Sequence, residues 1–334
     1  MADVFREEGY IVDVIHWTRR RALPRTDYDI FVDVRRNFER HAVALPDHCL
    51  KIAHMDTAHH RVHNGNQQQR LEALKARRGT RLDPFKLIEE NQAAETADVI
   101  TVLGNEFTIN TFAYAGKPVH RIRLSNPFTY PFPERKNFSE ARRRFLWLGS
   151  EGFVHKGLDL VLDAFATLDD HELFVCGPLQ NETAFTKAYH DLLYRTPHIH
   201  AEGWIDVQSP RFRKLADSCA AIVYPSCSEG GGGSVITMMH AGLIPVVSRE
   251  ASVDIDAACG LLLEQSSVAA LQSAVRTLSA MAPDQLESMA RAAWQRARDN
   301  HTRTRFKEDY RDFVKRLPEY LRAKRGPSTK EDAP

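Results

Sequence analysis

Residues 226–237, SCSEGGGGSVIT, combine one carboxylate, Glu229, with four consecutive glycines and the start of an apolar run. They follow a strand-like run at 220–224 (AAIVY) and lead into a helix-like run ending at Ala241-Gly242. Residues 244–248 (IPVVS) then read as another strand. Strand, glycine loop, helix and strand in that order suit phosphate binding. The first N–H groups of a helix are unpaired, and the helix dipole favours an anion beside them. Glycines 230–233 let a bulky ligand approach the backbone closely. Glu229 would stand at the mouth of such a site, although a carboxylate there can also serve as a plain surface helix cap.

A second group of chemistry-bearing side chains lies at His54, Asp56, His59 and His60, after a strand-like run at 49–54 (CLKIAH). Strand ends are where α/β domains bind ligands. A histidine facing a cleft can hydrogen-bond a ligand or relay a proton, and His59 is the candidate. The same histidines can equally be satisfied within the fold. His59, His60 and His63 do not supply a third ligand at zinc spacing, so no metal is expected.

The elements that must position these groups alternate along the chain. In the first half, residues 10–17 (YIVDVIHW), 28–34, 49–54, 99–103 and 119–124 read as strands, with helices expected at 67–78, 84–96 and 108–115. Residues 125–137 (SNPFTYPFPERKN) carry three prolines and read as a linker, with Phe128, Tyr130 and Phe132 as packing residues. The second half begins again with a strand at 144–149. Strands at 172–176, 198–203 and 259–264 follow, and helices are expected at 157–168, 182–194, 210–219, 268–280, 283–300 and 303–322. Repeated βα units imply two Rossmann-like, doubly wound parallel-sheet domains facing a cleft. The expected division is 1–130 and 131–325, with a disordered tail at 326–334. The chain opens inside what reads as a helix, so the first domain is expected to lack its first strand.

Composition narrows the class. Of 334 residues 43% are hydrophobic and 27% charged, the profile of a globular protein able to build two domains. A formal net charge of +1 gives no reason to expect a nucleic-acid partner. Five cysteines with no C-x-x-C pair argue against a disulfide or zinc framework and fit a reducing cytosol. Residues 1–8 are charged rather than signal-like, and no apolar run approaches the roughly 18 residues of a membrane span. Arg19-Arg20-Arg21, Arg35-Arg36 and Arg142-Arg143-Arg144 read as solvated faces or as contacts to an anionic membrane surface.

The second half resembles the retaining family-4 glycosyltransferases of the GT-B fold, the group 1 glycosyl transferases. The matching residues are FLWLGS (145–150), His155-Lys156-Gly157-Leu158-Asp159, FVCGP (174–178) and the run from Tyr224 to Ser248. The first half is more weakly similar, at 51–60, 63–79 and 97–105. In that family a Glu-x7-Glu motif holds a nucleotide sugar. The resemblance implies that Glu229, the first position, contacts sugar hydroxyls. Thr237 stands at the second position, where a carboxylate usually bonds the ribose. It further implies that Lys156 reaches the diphosphate, that Gly149 and Ser150 lie under the phosphates, and that the N–H groups of Gly233 and Ser234 complete a cradle begun by Gly230, Gly231 and Gly232.

The expected reaction is sugar transfer from a nucleoside diphosphate to an acceptor hydroxyl, with retention and without a metal or other cofactor. The setting would be glycan assembly on the cytoplasmic side, with a glycan or lipid-linked acceptor and peripheral contact to the membrane. A GT-B nucleotide-sugar epimerase and a weakly active nucleotide-sugar-binding subunit are the alternatives. The second is motivated by Thr237 and by the expected lack of the first strand. A dinucleotide-dependent dehydrogenase is disfavoured, because no G-x-G-x-x-G opens a strand–helix unit with an acidic residue about 20 positions on.

Overall fold

The structure, a computed structural model, describes residues 1–18 and 27–325. Among the described residues, ten strands form two parallel sheets. The first contains β1 (Ile30–Val34), β2 (Leu50–Met55), β3 (Val99–Leu103) and β4 (Val119–Ile122), in spatial order β1-β2-β3-β4. The second contains β5 (Arg144–Leu148), β6 (Glu172–Cys176), β7 (Ile199–Gly203), β8 (Ala221–Tyr224), β9 (Ile244–Ser248) and β10 (Leu261–Leu263), in order β10-β9-β8-β5-β6-β7. The chain winds outward from β5 to β7, returns to lay β8 beside β5, and winds outward the other way. Phe145 pairs with Ala221 at that junction. Only this sheet reverses direction, and the reversal opens a crevice beyond the carboxyl ends of β5 and β8.

Nine helices matter for positioning: α1 (Ala2–Glu7), α2 (Arg35–Ala42), α3 (His60–Arg78), α4 (Leu158–Phe165), α5 (Gly233–His240), α6 (Val268–Ala280), α7 (Pro283–Asn300), α8 (Arg303–Val314) and α9 (Leu317–Arg325). Their ends follow local chemistry. The Ser267 hydroxyl accepts from the Ala270 N–H to start α6, Pro283 opens α7, and α3 stops at Gly79 in the left-handed region (φ 70°).

The second domain is built on fully buried Phe145, Leu146 and Trp147 of β5. Trp147 stacks on Tyr224 of β8 (centroids 6.4 Å apart) and meets Phe153 edge-on at 5.9 Å. That aromatic layer lies directly under the loop joining β5 to α4. Tyr130 and Phe132 of the linker bury against this domain, and the Trp294 indole N–H of α7 donates to the Tyr130 carbonyl at 2.9 Å.

The structure departs from several expectations. Residues 10–17 form no strand. Tyr10 and Val12 pack inward as a strand would, but Ile11 is fully exposed and no ladder partner pairs the run. Residues 84–96 are helical only over Ala93–Thr96, because Pro84 and the polar stretch after it form a loop laid against α3. A helix over Arg35–Ala42 stands where only a charged face was expected.

The helix expected at 303–322 is two helices, and both leave the second domain. Tyr310, Phe313, Val314 and Leu317 join Val4 and Phe5 in a cluster under β2, β3 and β4. One face of the first sheet is thus covered by the two ends of the chain. The opposite face is covered by α2, Ala93, Ala94 and Phe112. The expected tail at 326–334 and the cluster Arg19-Arg20-Arg21 lie outside the described residues.

The two domains are clamped by α3, which runs from the first onto the second. Arg77 pairs with fully buried Asp159 (2.7 Å) and with Asp163 (2.5 Å) on α4. Arg70 donates to the Pro225 carbonyl at 3.0 Å, and Asn66 donates to the Cys227 carbonyl at 2.8 Å. The glycine loop is therefore held from both domains.

Candidate active site

A cavity of about 640 Å³ fills the crevice at the β5–β8 reversal. Gly149 and Ser150 after β5, Gly177 after β6, and Gly233, Ser234 and Thr237 of α5 line it. Asn126 of the linker and Trp204 after β7 complete its walls. Gly232 precedes α5 with φ 52°, and no side chain caps the helix. First-turn N–H groups and the positive end of the helix dipole are therefore available to an anion in the cavity. Trp204 is 65% exposed at the far end, which offers an indole face to a planar ring.

Beside the cavity, Lys156 and Glu229 form an ion pair at 3.0 Å, with side chains 6% and 18% exposed. The Lys156 ammonium also donates to the Tyr224 hydroxyl at 3.0 Å, and Tyr224 in turn donates to Glu229 Oε1 at 2.8 Å. Ser226 donates to the same oxygen at 3.0 Å. Three donors converge on Oε1, and among the described residues none reaches Oε2. That oxygen is left to accept from a ligand hydroxyl.

Burial alone would lower the Lys156 pKa, but the Glu229 carboxylate and the Tyr224 hydroxyl more than offset it and hold the ammonium above the ordinary lysine value. Burial would likewise raise Glu229, yet the Lys156 ammonium holds its carboxyl well below the usual range. Both groups are charged at neutral pH.

The first domain reaches this network at several points. Thr108 donates to the Glu229 carbonyl at 3.0 Å, and its hydroxyl meets that of Ser252 at 2.7 Å. Gly230 abuts the first domain so closely that a Cβ there would lie 2.1 Å from the Asp56 carbonyl oxygen. His155 Nε2–H donates to the Ser228 carbonyl at 2.5 Å, and its ring packs against that of His63 on α3 at 4.4 Å. Burial depresses the His155 pKa to about 3, so it remains neutral.

The candidates thus divide into three groups. Gly149, Ser150, Gly233, Ser234 and Thr237 line one cavity, and Lys156 and Glu229 meet beside it. Gly230, Gly231 and Gly232 do not line the cavity. They let the loop pass against Asp56, Leu124 and Val253, so the expected run of phosphate-binding glycines shrinks to its last member. Thr237 donates its hydroxyl proton to the Gly233 carbonyl at 2.9 Å and lies 3.4 Å from Asn126 Oδ1.

His59 is not brought to the donor loop. It caps α3 by accepting from the Arg61 N–H at 3.4 Å, which leaves Nε2–H to donate to the Tyr114 hydroxyl at 2.9 Å; Tyr114 then donates to Glu95 at 2.7 Å. One turn along α3, His63 is the histidine that reaches the second domain. Asp56 pairs with Arg35, and His54 lies under the sheet against Tyr310 and Thr101. Arg143 and Arg144 pair with Asp170 (3.6 Å) and Glu172 (2.9 Å). No described helix is long and apolar enough to cross a membrane.

Sequence reasoning missed Tyr224, Ser226, His155 and Thr108 as parts of the network. Ser226 opens the glycine motif and Tyr224 lies two residues before it, so proximity to Glu229 was the available signal. Nothing local marks Thr108, which arrives from the other domain.

No curated protein matches the chain. Residues 142–281 match the family model described as Glycosyl transferases group 1. Among solved structures, WaaG, a glycosyltransferase involved in lipopolysaccharide biosynthesis, is 18% identical with a TM-score of 0.50; the alignment covers 67% of this chain and 65% of WaaG. HepE of Anabaena, crystallised with UDP, is 13% identical with a TM-score of 0.61, covering 87% of this chain and 79% of HepE. An α,α-trehalose 6-phosphate synthase from Burkholderia multivorans is 10% identical with a TM-score of 0.61, covering 91% of this chain and 73% of that one. At such identities the likeness is one of fold. The chain also spans just under two thirds of WaaG's length. Two parallel-sheet domains with a crevice at the reversal of the second give this chain a GT-B frame, and within it residues 142–281 are similar to the group 1 glycosyl transferases.

Proposed function

We propose that the chain transfers a sugar from a nucleoside diphosphate to an acceptor hydroxyl, with retention of configuration, in the assembly of a glycan. The observation that carries this reading is the convergence of an uncapped helix start, the Gly149-Ser150 turn and the Lys156–Glu229 pair on one crevice. The diphosphate would sit at the start of α5. Thr237 lies one turn further along that helix, about 6 Å away at 1.5 Å per residue, which matches the step from a phosphate to its pentose. The base would then lie towards Trp204. HepE with bound UDP supports a uridine diphosphate sugar as the first donor to test.

In the reaction the bond from the anomeric carbon to the diphosphate oxygen breaks, and its electron pair leaves with the phosphate. The acceptor oxygen bonds the anomeric carbon and its proton passes to the departing diphosphate. Positive charge at Lys156 and the helix start stabilises that leaving group more in the transition state than in the ground state. Glu229, ionised and with Oε2 unclaimed, accepts from sugar hydroxyls. The setting proposed is the cytoplasmic face of a membrane, with a glycan or lipid-linked acceptor.

The test is incubation with a panel of nucleotide sugars, following nucleotide release and the anomeric configuration of product by NMR. Release with retention is expected. An epimerised sugar would replace the reading with an epimerase, and binding without turnover would replace it with a binding subunit, the reading that Thr237's commitment to Gly233 favours.

A further inference from the structure

The loop from Gly149 to Lys156 runs from the cavity to the ion pair and contains no cation before Lys156 itself. It carries instead Glu151. The Lys156 ammonium is already committed to Tyr224 and Glu229. A diphosphate leaving without a metal accumulates more negative charge than one committed ammonium and a helix dipole offset.

A further cation crosses from the first domain. Lys86 lies on the irregular segment between α3 and Ala93–Thr96, and this segment is pinned to α3 at two points. His63 Nε2–H donates to the Lys86 carbonyl at 2.7 Å. Asn64 both donates to the Ile88 carbonyl (2.8 Å) and accepts from the Ile88 N–H (2.9 Å). From this anchored backbone the Lys86 side chain extends over Gly152. A Cβ on Gly152 would lie 2.9 Å from Lys86 Cδ and 3.0 Å from Cγ, so the stem occupies the space a side chain would need. Among the described residues the Lys86 ammonium makes no hydrogen bond or ion pair. Its field nonetheless couples to Lys156, Glu229, Glu151 and Glu182, and burial and then Lys156 lower its pKa.

We infer that Lys86 is a phosphate-binding cation delivered by the first domain, closing over the donor's diphosphate from the side opposite the start of α5. The inference rests on the donor-site reading above. It makes leaving-group stabilisation depend on the two domains being together, since Lys86 and Gly152 belong to different ones.

The test compares Lys86→Met and Lys86→Arg with the wild-type chain on UDP-sugar turnover. Loss of one electrostatic donor to developing charge costs on the order of 100-fold, so K86M should lose about that in kcat, with a smaller rise in donor KM. K86R should retain most activity. Added ethylammonium should restore K86M in a saturable manner, which a merely structural lysine would not allow. Melting temperature should be unchanged, since the ammonium has no partner in the fold. K86M turnover within about twofold of wild type overturns the inference, as does a loss that neither arginine nor ethylammonium relieves. If the wild-type chain itself neither binds nor turns over any nucleotide sugar, the donor-site reading fails, and the inference falls with it.

Discussion

Glu229→Gln removes one charge from a nearly buried pair while keeping the size and an acceptor oxygen of the side chain. The Lys156 ammonium, 6% exposed, would be left with the Tyr224 hydroxyl and an amide oxygen in place of a carboxylate. Removing one partner of such a pair costs about 3–5 kcal/mol, because the remaining charge is uncompensated. The retained acceptor places E229Q near the lower end, about 3 kcal/mol. Lys156→Met leaves the carboxylate with Tyr224 and Ser226 as donors and an escape by protonation, so about 2–3 kcal/mol is expected. The double variant has no orphan charge and should return to within about 1 kcal/mol of wild type, since replacing both partners is often near neutral. Urea unfolding of the four proteins reads the coupling, and nucleotide release from a UDP-sugar reads the chemistry. Turnover should fall about 100-fold or more in all three variants, so that the double variant regains stability without regaining activity. Unchanged stability in E229Q, or recovery of turnover in the double variant, would refute the pairing as the organiser of the site.

Two further outcomes follow from the same contacts. Gly230→Ala places a methyl 2.1 Å from the Asp56 carbonyl oxygen of the other domain and should lower stability by about 1–3 kcal/mol, whereas Gly233→Ala meets only Leu124 at 3.6 Å and should be tolerated in urea unfolding; equal midpoints for the two would count against the domain contact. Burial holds His54 and His301 at about 4 and His155 at about 3, below the unfolded value of about 6.5. The unfolded chain therefore takes up protons first, and stability is complete above pH ~6.5 and lost as the pH falls from there towards 4, by about 2 kcal/mol per histidine at pH 5. Glu229, with its pKa depressed, loses its contribution only below the ordinary carboxylate range, so a flat urea midpoint between pH 7 and pH 5 would contradict the histidine assignment.

Much of the second domain was legible because its signals are local. Continuous β-branched and aromatic runs mark β5, β6, β8 and β9, and Leu158, Val161, Leu162 and Phe165 recur with helical spacing. The first domain and the clamp were harder. Helix α3 is rich in polar residues, yet its Asn66, Arg70 and Arg77 are spent on carbonyls and carboxylates of the other domain. Periodicity records which face of a helix is apolar, not which sheet it covers, so α8 and α9 were assigned to the wrong domain. Residues 10–17 have a strand's composition, but a strand needs a neighbour and none is supplied. At the site, Glu229 was visible from its glycines. His59 caps α3 and His63 lies one helical turn further on, and sequence position cannot say which turn of α3 faces the other domain.

The most direct test of the central claim is a crystal structure of the chain with UDP. The diphosphate is expected between Gly149-Ser150 and the N–H groups of Gly233 and Ser234, with the uracil towards Trp204 and Lys86 over the phosphates. UDP bound away from the β5–β8 crevice, or with its diphosphate remote from the start of α5, would contradict this expectation.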